Sequence, residues 1–390
     1  MGCVIPTHLH ITIIKLTLNP HTMNLHQLWL ITRYSFTEIW RNKTFRVAFM
    51  VLIPLLIAYQ VSFQSDMFNI PVEYTLVLSS FIPTQNAYMF NLLLVFPLAT
   101  MGFWVHKQKK YNTLEALLVH PQGNDTYSTG FILGIIIAFM IMGSISLALA
   151  GLINLFASPT SFRPLIYLFY LVTLILPTIV FIVGITSFLA ARCFKNGTVT
   201  TFFMLVYLSV DILFLSTLYH GLFDPLGILL PYTFSDFTGI ADLPGFLLHR
   251  TTFLLLGIGF ITLAISGLPR IPNKINGRQR AACSGILALF VGLLAGFITY
   301  NHHEQVERRH ALYESVYEKH DSPNKINIIA HDIRFTYQQK EARVESRVSL
   351  YNPTGITLSE IILYLNPSLE VTSIQENLSP VPFTREAQAI

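Results

Sequence analysis

Apolar and polar positions alternate along the chain on a long scale. Seven apolar runs, at 47–63, 86–105, 128–154, 164–190, 198–219, 246–268 and 281–300, are separated by shorter polar segments. A helix needs about 20 apolar residues to cross roughly 30 Å of hydrocarbon, and these runs meet or approach that length. The pattern predicts an α-helical polytopic membrane protein with about seven transmembrane helices. Ahead of the first run, Leu25, Leu28, Trp29, Thr32, Phe36, Ile39 and Trp40 recur at helical spacing, with Gln27, Glu38 and Arg41 on the more polar side. That spacing predicts an amphipathic elbow helix over 24–46, lying in the membrane surface.

After Tyr300 the pattern changes. The stretch 301–325 is polar and compatible with a helical stalk. Period-two alternation then begins: Ile333, Phe335 and Tyr337 alternate with Arg334 and Thr336, and Val344, Val348 and Leu350 with Arg343, Arg347 and Ser349. Asn352-Pro353-Thr354-Gly355 reads as a turn, and SEIILYLNP and LEVTSIQ read as two more strands. The reading is a small C-terminal β segment, too few strands to bury a core alone.

Charge sets the orientation. Of 390 residues only 12% are charged, about half the usual share for a soluble domain. Fourteen Lys and Arg residues lie in the N-terminal arm and in the segments after the second, fourth and sixth runs, whereas 64–85, 155–163 and 220–245 hold only Arg163. Basic residues mark the cytoplasmic side, so the N-terminus is expected there and 301–390 outside. Trp29, Trp40 and Trp104 would form an aromatic belt on that side. No basic patch interleaved with aromatics suggests nucleic acid. The cysteines, Cys3, Cys193 and Cys283, define no disulfide framework. Residues 1–23 have no counterpart in the pattern, and Met23 is a candidate start.

Candidate chemistry is sparse. There is no GxxxxGK[ST] loop to hold ATP, and no GxGxxG. His303-Glu304 opens like HExxH, but the fifth position is Glu307, so two imidazoles do not share one helix face. No catalytic residue, bound cofactor or metal ligand is assigned. Asp211 is the sole acid inside a predicted span. A mid-span Asp costs roughly 2.5–3.5 kcal/mol, which apolar neighbours at about −0.3 to −0.6 kcal/mol each outweigh. Asp211 is read as bonded to Ser209, Ser216 or Tyr207, or else as a substrate-path or interface residue. His249 and Arg250 are read as interfacial side chains reaching for water. The segment 220–245 is broken by Pro225, Gly227, Pro231, Gly239, Pro244 and Gly245 and is expected to fold back among the spans.

The stretch Lys107–Gly123, KQKKYNTLEALLVHPQG, lies between the second and third runs. Leu114, Leu117 and Leu118 recur at helical spacing behind Thr113 and Glu115, and Pro121 ends the pattern. Elbow, spans and this segment together resemble the permease subunits of type-2 ATP-binding-cassette transporters. In that family a Thr-Leu-Glu-x-Leu-Leu run followed by Pro couples the spans to an ATPase. The resemblance covers about 24–268, with the permease domain at 47–268 and the coupling helix at 107–121. The family's Leu-Gly-Lys continuation is here Leu133-Gly134-Ile135. The resemblance implies coupling roles for Thr113, Leu114, Glu115, Leu117, Leu118 and Pro121, and interface anchors at Trp29, Phe36, Trp40 and Trp104. It implies a separate P-loop ATPase holding ATP and Mg, a second permease half, identical or not, and a bacterial plasma (inner) membrane.

Residues 331–374 resemble the opening strands of the N-terminal β-sandwich of thermolysin-like zinc aminopeptidases, which some bacterial permeases carry after an added span. That would account for 269–300 as a basic loop and seventh span, and for 301–390 as stalk and partial sandwich, with the chain a piece of a longer protein. No peptidase residue is present. A membrane-anchored external module and a secondary transporter are the rival classes; one Asp and no evident repeat weigh against the latter.

Overall fold

A computed structural model describes residues 25–64, 79–99, 101, 124–157, 161–228, 234–236, 239–240, 242–267, 275–321, 326–338, 341–353, 355–358, 360–376 and 379–390. The chain divides into two units, Met1–Tyr300 and Asn301–Ile390.

The first unit is helical. Its elements are α1 (Leu25–Arg41), α2 (Lys43–Gln64), α3 (Phe81–Ala99), α4 (Asn124–Ala157), α5 (Pro164–Cys193), α6 (Gly197–Leu213), α7 (Leu243–Ser266) and the first part of α8 (Ile275–Lys319). Five helices among the described residues are long and apolar enough to cross a membrane: Lys43–Ser62, Thr126–Phe156, Pro164–Cys193, Leu243–Ser266 and Gln279–Lys319. Two of the seven predicted runs, 86–105 and 198–219, are not among these five. The run 86–105 is described as a helix over Phe81–Ala99. The run 198–219 is helical for only 17 residues, to Leu213, after which Leu215–Gly221 tightens into a 3-10 helix.

Local chemistry explains several boundaries. Asn42 joins α1 to α2, its side-chain oxygen accepting from Thr44 N at 2.8 Å, and Asn196 caps α6 the same way through Thr198 N at 3.1 Å. These side chains satisfy N–H groups that a helix start leaves open. Asp242 caps α7 through Gly245 N at 3.1 Å, with Pro244 in the first turn.

The core lies between α3, α4, α5 and α7, with Phe90, Leu94, Phe139, Met142, Leu174 and Ile182 essentially inaccessible. α5 and α7 cross at glycines. A Cβ on Gly257 would come within 2.7 Å of the Val180 backbone, and one on Gly184 would strike the Gly257 carbonyl. Beside the crossing, Phe181 and Phe253 meet edge to face at 5.1 Å. Close backbone approach at small residues is how apolar helices gain contact without a hydrophobic driving force. α8 lies on α7 through the same device, Gly259 and Gly285 facing Leu289 and Leu263.

In the second unit, β1 (Asn327–Gln338) and β2 (Glu341–Tyr351) form an antiparallel hairpin with an irregularity at Ile328/Ala330. Register pairs Ile333 with Ser346, Phe335 with Val344 and His331 with Val348, so one face is largely apolar; Asp332–Arg347 and Arg334–Glu345 pair on the other. The two further strands expected from SEIILYLNP and LEVTSIQ are corrected. Residues 363–365 instead exchange backbone bonds with the segment 388–390, Leu363 N donating to Ile390 O at 3.0 Å and Leu365 N to Gln388 O at 2.8 Å. Of the second stretch only Ile374 and Gln375 are in a strand, β3 (Ile374–Glu376), paired with β4 (Ser379–Val381). Glu386 anchors the last turn of α8, accepting from Lys319 Nζ at 2.7 Å and meeting His320 Nε2 at 3.0 Å.

The α5–α7 crossing yields a prediction. Gly257→Ala must push two backbones apart, and overpacking of this kind costs about 1–3 kcal/mol. Gly296→Ala, where an added Cβ meets only the Thr252 methyl at 3.3 Å, should be neutral or stabilising by up to about 1 kcal/mol. Thermal unfolding of both variants in detergent measures the difference.

Candidate functional site

The interior polar chemistry of the first unit gathers around Arg250. This side chain is 2% exposed, although its sequence position suggested a residue reaching for water. That expectation, and the same one for His249, is corrected. The cause lies in α5. Pro177 has no N–H with which to meet the Thr173 carbonyl four residues earlier, and the turn before it widens into a π-helix over Leu171–Ile175. Such a bulge releases carbonyls from the helix ladder. Arg250 Nε donates to Thr173 O at 3.1 Å, and Nη2 donates to Leu174 O at 3.0 Å.

The same guanidinium holds the fold-back segment after the 3-10 helix. Nη2 donates to Pro225 O at 3.2 Å and Nη1 to Asp224 O at 3.4 Å. Asn91 of α3 donates from Nδ2 to Leu226 O at 2.8 Å and to Thr178 Oγ1 at 3.2 Å. Thr178 Oγ1 accepts from Arg250 Nη2 at 2.7 Å and reaches Pro225 O at 2.8 Å. Three successive carbonyls, 224 to 226, are thereby satisfied inside the helical body, and Leu226 is fully buried. Gly227 completes the turn at φ +70°, with its own N–H on Asp224 Oδ1 at 2.8 Å; a Cβ there would meet Arg250 Nη1 at 2.9 Å. His249 sits one residue before Arg250, its Nε2 2.8 Å from Gly221 O. Burying a charge is tolerable only when its donors are met, and here backbone oxygens meet them.

Asp211 stands close by in a different condition. It is completely buried on the face of α6 that also buries Thr200, Met204 and Leu208. Among the described residues neither carboxylate oxygen has a hydrogen-bond partner. The expected bonds to Ser209, Ser216 or Tyr207 are absent; Ser216 Oγ turns back to Ile212 O at 3.3 Å.

At the far end of the fold-back segment, Asp236 clasps the start of α3. Ser79 donates to it from Oγ at 2.6 Å and from its backbone N at 3.0 Å, and Arg163 lies 3.2 Å away. Ser80 Oγ donates to Phe234 O at 2.7 Å. Ser79's hydroxyl and then its N–H hold the Asp236 carboxyl below the usual carboxylate range, and Arg163 adds to this.

The elbow docks rather than lying apart. Thr32, Ser35 and Ile39 of α1 are buried against the first turns of α4, where a Cβ on Gly134 would come within 2.7 Å of Ser35 Cβ and one on Gly130 within 2.8 Å of Ile31. Thr32 can be buried because its hydroxyl donates to Leu28 O at 2.8 Å. Of the predicted anchors, Trp29 is 60% exposed, on another face. Phe36 and Trp40 stack at 5.7 Å, and Trp40 meets Phe45 at 5.6 Å and Phe49 at 5.5 Å, knotting the α1–α2 joint. Phe45 in turn meets Phe139 of α4 edge-on at 5.4 Å. Trp104, Thr113, Leu114, Glu115, Leu117, Leu118 and Pro121 lie outside the described residues.

Sequence reasoning missed Asn91, Thr178 and Asp224 and misplaced Arg250. The available signal was Pro177 inside an apolar run, which leaves the Thr173 carbonyl in need of a donor, with one arginine inside a later apolar helix. Comparison with protein-family models and with curated proteins found no match to this chain.

Two outcomes test the site. Arg250→Met strips the donors from buried carbonyls, and removing one side of a buried polar set costs about 3–5 kcal/mol; detergent unfolding should show that loss. Asp236 binds its proton less readily folded than unfolded. Its contribution is therefore present above the ordinary carboxylate value of about 3.9 and is lost as pH falls through the lower folded value. Asp236→Asn should cost roughly 1 kcal/mol at neutral pH and flatten the acid limb of a stability-versus-pH curve.

Proposed function

We propose that the chain is the permease subunit of a type-2 ATP-binding-cassette transporter in a bacterial inner membrane, carrying a substrate across with ATP hydrolysed on a separate subunit. The five apolar helices are compatible with a membrane location, and α3 and α6 complete the permease spans in this reading. The observation that carries it is positional. The Thr113-Leu114-Glu115-Ala116-Leu117-Leu118…Pro121 stretch lies between α3 and α4, and the first turns of α4 are the ones that grip the elbow at Gly130 and Gly134. A push on the coupling segment would reach α4 and, through those glycines, α1 and the aromatic joint to α2. One input would then move three helices as a body.

In this reading the N-terminus is cytoplasmic, residues 301–390 are external, and two permease halves pair around the substrate route. Leu114, Leu117 and Leu118 enter a groove of the ATPase, and Glu115 meets its rim. The chain supplies movement and a path, and ATP and Mg stay on the partner.

The test is recovery of the partner. Tagged chain, purified from its native membrane in mild detergent, should bring down a P-loop ATPase identified by mass spectrometry. Glu115→Arg and Leu117→Asp should cut that recovery at least about tenfold, equivalent to about 1.4 kcal/mol of binding, with membrane insertion unchanged. Equal recovery by wild type and both variants, or no P-loop ATPase with wild type, overturns the assignment.

A further inference from the structure

Asp211 and Arg250 pose opposite problems in the same interior. Arg250 has its donors on the oxygens of Thr173, Leu174, Asp224, Pro225 and Thr178. Asp211 has two oxygens, no exposure, and no donor among the described residues. A naked carboxylate buried without a partner is too costly to persist; it must be neutralised by a bound cation or by a proton.

Among the described residues no basic side chain lies within hydrogen-bond reach of Asp211. α6 carries no Lys, Arg or His, and α3, against which α6 packs, carries no charged residue at all. α5 carries one basic residue, Arg192, near its C-terminal end and bonded to Ser266 Oγ at 2.8 Å. Tyr207, one turn earlier on α6, and Asp224, on the fold-back segment, are the titratable groups that Asp211 interacts with electrostatically. His249 and Arg250 of α7 face that same fold-back segment, through Gly221 O and Asp224 O. Asp224 adds negative charge rather than relieving it.

Asn91 on α3, the helix against which α6 packs, is fully buried; its Nδ2 donates to Leu226 O and Thr178 Oγ1, and its Oδ1 has no hydrogen-bond partner among the described residues.

We infer that Asp211 is a monovalent-cation site in the interior of α6, filled by a proton or by an alkali ion. The inference stands on burial and missing donors and is independent of the permease reading. It gives the chain an ion-dependent element that ATP-driven movement would not by itself demand.

Infrared difference spectroscopy of the full chain in lipid nanodiscs tests it. In sodium-free buffer at neutral pH the wild type should show the carbonyl stretch of a protonated carboxyl, lost in Asp211→Asn and displaced in Asp211→Glu. Asp224→Asn should leave that band in place. If the band is unchanged on adding sodium or lithium chloride, the occupant is the proton. If either salt converts it to a carboxylate band, with choline chloride as the control, the site also takes an alkali ion. An Asp211 carboxylate band in sodium-free buffer from mildly acidic to alkaline pH, with no protonated form, overturns the proposal. Should Asp211→Asn fail to fold, the displaced band of Asp211→Glu and the salt titration of the wild type still decide it.

Discussion

The buried guanidinium of Arg250 is the constraint on which the interior of the first unit depends. A proline at 177 cannot meet the carbonyl of Thr173, and the resulting π turn leaves α5 with open acceptors in an apolar core. Without a donor from elsewhere that turn would be a defect costing on the order of 1–3 kcal/mol for each orphaned group. Arg250 supplies several donors from one planar fork, and reaches both α5 and the segment 224–226. One residue thus fixes the distance between α5 and α7 and holds the fold-back segment inside. The glycine crossing at Gly184 and Gly257, two turns further along α7, follows from the same geometry. Helices drawn together by a buried cation meet closely only where side chains are absent.

A second set of contacts has a different physical character. The α1–α4 seam at Gly130 and Gly134, like the α7–α8 seam, is one of close approach at glycines. Such seams are held by dispersion and by short backbone approach. The hub around Arg250 resists sliding, because every displacement breaks directional bonds. The first unit thus combines directional bonding among α5, α7 and the fold-back segment with close glycine packing between α1 and α4.

Much of this organisation was legible in the sequence, for a stated reason. Long apolar runs and the strict alternation through Ile333, Phe335, Val344 and Val348 are local signals, and the helices and hairpin follow them. The misreadings have a common cause in long-range partners. The run 198–219 looks uniformly apolar, yet the chain turns at Leu213 because the next residues must return Asp224–Leu226 to Arg250. Residues 360–366 alternate like a strand, but their backbone finds the chain's last residues first. The elbow's predicted face shares Thr32 and Ile39 with the face that docks, but Ser35 belongs to that face and Trp29 is exposed. Arg250 at a helix start looks interfacial until Pro177, more than seventy residues away, is recognised as the source of its acceptors. In each case composition was readable and partnership was not.

The contrast between Arg250 and Asp211 carries one more step. Both are ionisable, both are excluded from solvent, and Asp224 lies between their environments, giving its carbonyl to Arg250 and its field to Asp211. A change in the charge of Asp211 would alter the electrostatic load on Asp224, whose carboxylate caps Gly227 N and whose carbonyl belongs to the hub. The fold-back segment is thus the physical link through which an event on α6 would be felt by α5 and α7. That link needs no chain of moving side chains, because one short segment bears both interactions. Within that hub Arg250 has its donors met by oxygens, and the carboxyl of Asp211, lacking a donor, is where the electrostatic balance can be changed with least rearrangement.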